Sequence, residues 1–421
     1  MGFAMKSEFS FISVFSGAMG LDIGIEQAGG RLLMANEIDK AAIATARLNR
    51  PSVPIFDESI KNLTAARVFD QIGIRPGEID LLCGGPPCQS FSVYGNRAGT
   101  EDPRGQLIFE FSRLVGELKP KAFVMENVRG LHSMAIVPKT KAALFGGVEP
   151  WMTKPGSLLT ELVKSMRDSG YFVDVFLVNA VNYGAPQIRE RMLIIGNRLG
   201  QPNALCFPTH SNRIHESLPT FTTLRDVIGV GFKDGWPELM NFSSRKLHYL
   251  SMVPPGGNWR SMPIDVQKES MGKSWYLKGG RSATWRRLSW DFPSPTVVTM
   301  PNHASTSMCH PDEVRALTVG ECAAIQGFPA DWGFIGTTAE KYRQIGNAVP
   351  VRLGRIAGDA VAAILASEPI RQLVISPDYR NAPVNVVHLR PHVRTKRYWH
   401  NGEALAGDHD YYASDLPLFG T

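Results

Sequence analysis

The segment around Cys88 has the composition expected of a chemically active thiol. An apolar run at 79–83 ends in Gly-Gly-Pro-Pro (84–87), and Cys88 follows directly. Two glycines and two prolines make a stiff turn that presents the cysteine at the end of a strand, where a thiolate can act as a nucleophile. A buried structural cysteine is the alternative, and a stiff turn at a strand end disfavours it.

Further polar side chains stand next to apolar runs. Glu126 closes the run 122–126, and a carboxylate in that position can have a raised pKa and serve as an acid. On its own it would be interpreted as a surface glutamate. Arg189 and Arg191 precede the run 192–196. Alternate residues of an extended segment point to the same side, so we expect both arginines to face one cleft.

The residues after the first two apolar runs suit a nucleotide-like ligand. Gly17 and Gly20 follow the run 9–15, and such glycines let the backbone approach a ligand where the next helix begins. They do not complete a G-x-G-x-x-G pattern, so they support a dinucleotide site only weakly. Glu37 and Asp39 come about 20 residues later, where a carboxylate can accept hydrogen bonds from ribose hydroxyls. A helix-capping acid is an equal interpretation for either one.

Strands and helices that alternate over the first 200 residues must position these side chains. The pattern predicts an α/β fold with a doubly wound, mainly parallel sheet, in which ligands bind at the carboxyl ends of strands near a topological switch point. The predicted strands are 9–15, 31–37, 53–56, 79–83, 122–128, 172–179 and 192–196, and the predicted helices include 39–49, 105–118 and 157–169.

The composition of the chain changes after about residue 199. Residues 200–310 are rich in Pro, Gly, Ser, Thr and Trp, which predicts a smaller, irregular, mainly β domain. Helical patterns return at 319–327 and 350–366, and the second of these is amphipathic and should pack on the first domain. The predicted domains are 1–199, 200–339 with a hinge, a returning segment 340–370, and a tail 371–421 without an assigned role.

The basic side chains are concentrated in one window. The whole chain has a net charge of +6, and residues 241–290, called the basic window below, contain nine basic and two acidic side chains interleaved with tryptophans. Basic groups neutralise phosphates and aromatic rings stack on bases, so the window favours binding of a polyanion such as nucleic acid. A solvated basic surface is the alternative.

Length and composition exclude several classes of protein. A chain of 421 residues with 43% hydrophobic residues is too long for one ordinary domain and too apolar for wholesale disorder. It has no apolar run of about 18 residues, which excludes a membrane span, and no signal-peptide pattern at its start. Five scattered cysteines without a C-x-x-C pair predict neither a disulfide framework nor a metal site, and they suit a reducing cytoplasm.

Taken in order, the motifs resemble the DNA (cytosine-5)-methyltransferase family of the bacterial restriction–modification type, from Phe15 to Pro350. GGPPCQSFS (84–92) matches the catalytic motif of that family letter for letter, which implies that Cys88 is the nucleophile. Glu126 belongs to an E-N-V motif and would contact the N3 edge of cytosine. The Q-x-R-x-R motif at 187–191 would hold the flipped base and a nearby phosphate, so Arg189 and Arg191 join the implied catalytic set.

The resemblance also implies S-adenosyl-L-methionine as the cofactor. FSGAMGLD (15–22) resembles the element on the methionine side of its pocket, although the family more often has F-x-G-x-G, and QIGNAVP (344–350) returns to that pocket. The usual Asp-Ile for the adenine ring is missing. Asp57 is assigned this contact, with Ser59 and Ile60 as alternatives. The implied cofactor residues are Phe15, Gly17, Gly20, Leu21, Glu37, Ile38, Asp57, Pro86 and Asn347.

The family places target recognition between the eighth and ninth motifs, where the basic window lies. The motif R-A-L-T (315–318) with Glu321 would support the recognition domain. Arginine matches guanine edges and lysine suits phosphates. The residues predicted to bind DNA are Gln89, Ser90, Gln187, Arg281, Arg286 and Arg287, with Lys268, Lys273 and Lys278 on phosphates. The loop 89–106 contains three glycines and is predicted to close over the base as a lid.

The predicted function is therefore methylation of C5 of a flipped cytosine in a specific duplex DNA sequence, through a covalent Cys88 adduct. We expect a cytoplasmic monomer, on the nucleoid through its DNA, that protects DNA from an endonuclease acting on the same site without direct contact. The alternatives are a transfer-RNA cytosine-5 methyltransferase, which the large basic segment disfavours, and a non-catalytic DNA-binding regulator, which the intact Cys88 and Glu126 disfavour. A nicotinamide-dependent dehydrogenase would fit the first 80 residues only.

Overall fold

The computed structural model describes two compact units. The described residues are 8–87, 107–139, 142, 147–212, 217–276, 283–303, 307–368 and 375–389, with the backbone alone at 399–400 and 403–404. The first unit comprises Met1–Val178, Glu190–Phe207 and Leu353–Leu389, and the second comprises Asn179–Arg189, Pro208–Arg352 and Arg390–Thr421.

The elements follow the predicted alternation. The strands are β1 (Phe9–Val14), β2 (Gly30–Asn36), β3 (Ile55–Phe56), β4 (Leu81–Gly84), β5 (Ala122–Val128), β6 (Phe172–Asn179), β7 (Gln187–Ile188), β8 (Glu190–Asn197), β9 (Ser294–Pro295), β10 (Val386–His388), β11 (Trp399–His400) and β12 (Glu403–Ala404). The α-helices are α1 (Gly20–Gln27), α2 (Lys40–Asn49), α3 (Ala65–Ile72), α4 (Leu107–Leu118), α5 (Ser157–Asp168), α6 (Leu224–Ile228), α7 (Ser244–Ser251), α8 (Ile264–Met271), α9 (Val319–Gln326), α10 (Thr338–Asn347), α11 (Val351–Ala366) and α12 (Pro377–Asn381). Short 3-10 helices lie at Ile60–Asn62, Arg129–Ser133, Pro150–Thr153, Ala180–Tyr183, Trp259–Ser261 and Gly272–Tyr276.

The first unit is built on an eight-stranded sheet in the order β10-β6-β8-β5-β4-β1-β2-β3. β1 pairs in parallel with β2 and β4, and β4 pairs in parallel with β5, whereas β8 runs antiparallel to β5. The chain steps outward from β1 to β3 and then returns to the other side of β1 to form β4. The switch point therefore lies between β1 and β4. The prediction of a doubly wound, mainly parallel sheet is confirmed.

Apolar side chains from neighbouring strands form the core of this unit. Ile12, Leu82 and Phe123 are fully buried, because a mainly parallel sheet is covered on both faces. Gly196 stands opposite Phe123 in the β5–β8 register, and a Cβ on Gly196 would come within 2.3 Å of the Phe123 ring. Because Gly196 has no side chain, the Phe123 ring can pack over the neighbouring strand β8. This packing explains why a glycine interrupts the apolar run of β8.

The helix α11 packs on α1 within the first unit. A Cβ on Gly354 would come within 2.5 Å of the Leu21 carbonyl oxygen, and one on Gly358 within 2.6 Å of Ala28 Cβ. The two glycines lie four residues apart and so share one face of the helix. This face allows the backbones of α11 and α1 to approach closely, as the amphipathic pattern of 350–366 predicted.

Residues 375–389 complete the outer edge of the sheet. β10 pairs in parallel with β6, and α12 lies beside α5. The Tyr379 hydroxyl accepts a hydrogen bond from the Val173 backbone N–H at 2.8 Å, and the Arg167 guanidinium lies 4.6 Å from the Tyr379 ring centre. The tail, which had no predicted role, thus covers a strand edge that would otherwise present unpaired backbone groups.

The second unit corrects one prediction, because residues 200–310 are not mainly β where they are described. They contain α6, α7 and α8, while the two-residue strand β9 pairs only with β7. These helices have eight residues or fewer, which is too short for a helical period to show in the sequence. They depend on local caps, such as Ser243 on the Lys246 N–H and the capping box of Thr223 and Asp226.

No helix in the described part of the chain is long and apolar enough to cross a membrane.

Candidate active site

The loop after β1 has an unusual backbone. Phe15, Gly17 and Met19 have φ angles of 56°, 53° and 67°, all in the left-handed region. Such angles in non-glycine residues are strained, and they persist where the surrounding structure holds them, commonly at ligand sites. A Cβ on Gly17 would meet nothing within 4 Å. The backbone of this loop is therefore open to a ligand at the carboxyl end of β1.

Glu37 joins this loop to the end of β2. Its carboxylate accepts hydrogen bonds from the backbone N–H groups of Gly17 at 2.7 Å, Ile38 at 2.6 Å and Asp39 at 2.9 Å. A carboxylate has about four lone-pair positions, so one acceptor position is left for a hydroxyl group. The neighbouring Ile38 is 62% exposed and offers an apolar surface beside it.

The structure distinguishes the two acids that the sequence left equal. Asp39 caps α2, because its carboxylate accepts hydrogen bonds from the Ala41 and Ala42 N–H groups at 3.0 and 3.1 Å. Glu37 instead lies against the loop of Gly17. The capping interpretation thus applies to Asp39, and Glu37 is the acid available to a ligand.

The three candidates for the adenine contact have different environments. Asp57 is exposed and pairs with Arg47 at 2.8 Å. The exposed Ser59 begins a 3-10 helix, and Ile60 is buried in the core at 2% exposure. Burial disfavours Ile60, whereas the assignment of Asp57 or Ser59 stays a prediction.

Gly20 and Leu21 form the first turn of α1, and Leu21 is 5% exposed. The side chain of Leu21 is thus part of the core, and any contact with a cofactor would come from the backbone N–H groups at the helix start.

Glu126 forms a nearly buried ion pair at the end of β5. Its Oε1 lies 2.7 Å from Arg191 Nε, and the side chains are 11% and 13% exposed. Arg191 stands on β8 opposite Val128, two positions along from the residue that faces Glu126. This diagonal placement on adjacent strands lets the long arginine side chain reach the carboxylate.

The segment that leads into Cys88 lies against this ion pair. A Cβ on Gly85 would come within 3.0 Å of Glu126 Oε2, and one on Gly84 within 2.3 Å of the Val14 carbonyl oxygen. Asn127 Nδ2 donates a hydrogen bond to the buried Pro86 carbonyl at 3.1 Å. Both glycines are therefore needed for close approach, and Asn127, to which we assigned no role, fixes the turn. Cys88, Gln89, Ser90 and the predicted lid 89–106 lie outside the described residues.

Comparison with known proteins identifies the family. The family model described as C-5 cytosine-specific DNA methylase matches residues 9–362.

This chain belongs to the C-5 cytosine-specific DNA methylase family.

The relatives of this methylase agree with the family model. It is 39% identical to the Type II methyltransferase M.PspPI of Psychrobacter sp. over 364 residues, which cover 86% of this chain and 80% of that protein. It is 38% identical to the Type II methyltransferase M.Eco47II of Escherichia coli over 366 residues, covering 85% and 79%. A solved structure, titled as a putative DNA modification methyltransferase encoded within an E. coli prophage, matches with a TM-score of 0.58 and 25% identity over 86% of this chain and all of that one.

Family membership decides between the alternatives. The methylase is an enzyme that methylates cytosine C5 in DNA, and the transfer-RNA methyltransferase, the non-catalytic regulator and the dehydrogenase are disfavoured.

The Q-x-R-x-R motif of the methylase does not direct its three side chains to one place. Gln187 is fully buried and bonds Gln326 Oε1 at 2.7 Å and the Ile325 carbonyl at 3.2 Å. Arg189 is 2% exposed, and its guanidinium donates to the carbonyls of Val297, Gly346 and Ala348 at 2.8–2.9 Å. The prediction that Arg189 faces an open cleft is therefore wrong, and a contact between the buried Gln187 and DNA stays a prediction.

The alternation argument failed for a topological reason. β7 pairs with β9 in the second unit, whereas β8 pairs with β5 in the first, so the chain changes sheets at Arg189. A two-residue period holds only within one strand. Arg189 therefore anchors the 346–348 backbone. Asn347 is exposed at the end of α10 in the second unit, and its cofactor role stays a prediction.

The ninth motif holds the start of α9. Arg315 forms a two-pronged ion pair with Glu321 at 2.8 and 2.9 Å, and Glu321 also closes a capping box with Thr318. The Thr318 hydroxyl donates to Asp234 at 2.6 Å. Asp234 lies outside every motif that we recognised, and only its tertiary contact reveals its part in this network.

Two of the residues of the methylase that were predicted to contact DNA make contacts within the protein. The Arg287 guanidinium donates to the carbonyls of Val253 and Asp312, so it supports the fold, and its role in base readout stays a prediction. Lys268 lies 5.2 Å from the Trp275 ring centre. Arg281 and Lys278 lie outside the described residues.

Proposed function

We propose that this methylase transfers the methyl group of S-adenosyl-L-methionine to C5 of a flipped cytosine in a specific duplex DNA sequence, through a covalent adduct with Cys88. The observation that carries the proposal is the Glu126–Arg191 ion pair, which lies against the Gly84–Pro87 turn. Cys88 follows that turn directly in the chain. A nucleophile and an acid thus belong to the ends of neighbouring strands, β4 and β5.

The residues of the first unit fit the cofactor. Glu37 offers an acceptor for ribose hydroxyls, Ile38 offers apolar surface for a flat ring, and the open backbone at Gly17 leaves room for the remainder. We propose that Phe15, Gly20, Leu21, Pro86 and Asn347 complete the pocket, with Asp57 or Ser59 at the adenine. S-adenosylmethionine, when bound, supplies an electrophilic methyl group.

The chemistry of cytosine defines what the protein side chains must do. C5 is too weak a nucleophile to take a methyl group directly. Addition of the Cys88 thiolate to C6 forms a C–S bond, makes C6 tetrahedral and leaves a C4=C5 enamine with the exocyclic amine, which makes C5 nucleophilic. Glu126 shares a proton with N3 and keeps negative charge off the ring. After methylation a base takes the C5 proton, the C–S bond breaks, and the ring is aromatic again with the thiolate restored.

Arg191 orients Glu126 in this scheme. Its Nε–H holds one carboxylate oxygen at 2.7 Å, and the second oxygen lies beside Gly85. The target atoms are inaccessible in a stacked duplex, so the cytosine must be flipped out of the helix. Because Gly85 has no side chain, the turn that leads into Cys88 can lie close to the Glu126 carboxylate.

The relatives are Type II methyltransferases, and we propose the same setting for this chain. It would protect DNA from an endonuclease of the same sequence specificity without contacting it, as a cytoplasmic monomer on the nucleoid.

Bisulfite sequencing tests the proposed function. The full chain and Cys88→Ser would be expressed in cells without cytosine methylation. We expect the wild type to methylate one short sequence and Cys88→Ser to methylate none while it still binds DNA, because a hydroxyl is a far weaker nucleophile than a thiolate. Duplex DNA containing 5-fluorocytosine should trap the wild type covalently. Comparable methylation by Cys88→Ser would remove Cys88 from the mechanism.

A further inference from the structure

The basic side chains of the basic window are mostly committed to the protein itself. Seven of the nine lie in the described part of the chain, and five of these seven contact carbonyl groups or aromatic rings. The five are Arg245 with the Ser270 carbonyl, Lys246 with the Asn302 and His303 carbonyls, Arg260 over Trp259, Lys268 over Trp275, and Arg287 with the Val253 and Asp312 carbonyls. The basic side chains of the window therefore do not simply form an open, solvated surface.

Arg286 differs from these five. Within the described residues its side chain has no hydrogen bond, ion pair or ring contact, and its Nε is buried without an acceptor. Lys273 also lacks a contact there, but Lys273 is exposed, so water can satisfy it. Arg286 is half-buried, and burial lowers its pKa to about 10. A buried charged donor without an acceptor is unfavourable unless a ligand supplies one.

The backbone around Arg286 is held firmly. Trp285 has a φ of 46° and is 5% exposed, and its ring packs 5.1 Å from that of Tyr249. On the other side, the Arg287 N–H donates to the Gly257 carbonyl at 3.0 Å. A left-handed tryptophan is strained, and such strain is typical of positions at which a side chain is aimed at a ligand. The backbone on both sides of Arg286 is thus fixed by contacts within the protein.

We propose that Arg286 reads a guanine in the recognised DNA sequence, with its guanidinium donating to O6 and N7 in the major groove. The inference rests on the proposed function and names one part of its specificity. Guanine presents two adjacent acceptors that match the arginine fork. A phosphate also offers paired acceptors, but a phosphate contact does not need a rigid, half-buried side chain, since lysine serves equally well there.

The experiment uses the full chain and the sequence found by bisulfite sequencing. Each guanine of a duplex carrying that sequence is replaced in turn by 7-deazaguanine, which lacks the N7 acceptor. Binding is measured for the wild type, Arg286→Lys, Arg286→Ala and the matched control Arg260→Lys. We expect one replacement to weaken the wild type and Arg260→Lys by about fivefold to a hundredfold. Arg286→Lys should lose most of this discrimination, because an ammonium lacks the planar fork, and Arg286→Ala should bind the normal and altered duplexes alike.

The following results would overturn the inference. If Arg286→Lys keeps the full discrimination at every guanine, or the wild type shows none, Arg286 does not read a guanine. If Arg286→Ala weakens all duplexes equally and lowers the salt slope by about one, Arg286 contacts a phosphate. Thermal melts of both variants detect loss of folding, and the conservative Lys variant decides if the Ala variant is unfolded. A wild type that methylates no sequence would overturn the proposed function and this inference with it.

Discussion

Two glutamates on neighbouring strands of the first unit each pair with an arginine, but only one lies beside the turn that leads into Cys88. Glu126 pairs with Arg191 at 2.7 Å, and Glu190 pairs with Arg129 at 2.8 Å; their side chains are 11% and 13% exposed. Similar burial and pairing make Glu190 a matched control for Glu126. A difference in methylation rate between variants of the two glutamates should therefore reflect their different positions relative to the reacting base.

Glu126→Gln should lower the rate of the chemical step by about a hundredfold or more, because an amide can hydrogen-bond the base but cannot supply a proton at N3. Single-turnover methylation with saturating cofactor measures this rate. Glu190→Gln should leave it within a few-fold of the wild type. Equal rates for Glu126→Gln and the wild type would remove Glu126 from the mechanism.

Asp22 is a fully buried acid on α1, and no ion pair compensates its charge among the described residues. Burial raises its pKa to about 7, with a further contribution from Glu26. The unfolded chain releases this proton near pH 4, whereas the folded protein keeps it until about pH 7. The folded state therefore binds more protons in this interval, and Asp22 makes stability fall as the pH rises from about 4 to about 7.

Asp22→Asn should remove that slope and stabilise the protein at pH 8 by a few kcal/mol, since each pKa unit corresponds to about 1.4 kcal/mol. Urea unfolding of both proteins from pH 4 to pH 8 measures the difference, in which titration of other groups cancels. A difference that does not grow with pH would show that Asp22 is not the responsible group.

At the scale of elements, the C-terminal residues 375–389 extend the sheet outside the span of the family model, which ends at residue 362. Tyr379 on α12 contacts residues of α5 and β6. Its hydroxyl bonds the backbone of Val173, and its ring packs 5.1 Å from Phe172 and beneath the Arg167 guanidinium. The helix α12 and the strand β10 thus cover the β6 edge of the sheet.

Tyr379→Phe should destabilise the full chain by about 1 kcal/mol through loss of the hydroxyl bonds. Tyr379→Ala should cost about 2–3 kcal/mol, because the ring packing is lost as well. Thermal or urea unfolding measures both. Tyr276, which is 73% exposed, provides the control, since Tyr276→Phe should change stability by less than about 0.5 kcal/mol. Equal stability of all three variants would contradict a role of Tyr379 in holding α12 against the sheet.

At the scale of the whole molecule, catalysis and sequence recognition should be separable. The strand-end residues lie in the first unit, and the basic window lies in the second. Asp234 and Glu238 precede the window and bond Thr318 and Lys341. An exchange limited to 241–290 would therefore keep these supports.

Replacing residues 241–290 by the corresponding segment of a family member with a different target should give an active enzyme with the target of the donor. Bisulfite sequencing of DNA from cells that express the chimaera reports the methylated sequence. An active chimaera that still methylates the original sequence would show that recognition lies elsewhere in the chain.

The amino-acid sequence by itself determined the sheet, the motif order and the membership of a DNA methylase family. Runs such as 122–128 and 172–179 appear as strands with the predicted bounds, because continuous apolar segments between turns report burial locally. The proposed nucleophile and acid were also evident, since polar residues at the ends of such runs interrupt the pattern that burial imposes.

Only the tertiary structure decided which polar side chains are free. Arg189, Arg191, Arg286 and Arg287 are the same residue type, yet two of them bind backbone carbonyls, one binds Glu126, and one has no contact within the described residues. Their partners lie far away along the chain or on another strand, as with Arg189 and Gly346. No local pattern can report such partners, because a hydrogen bond depends on where the fold brings distant carbonyl groups.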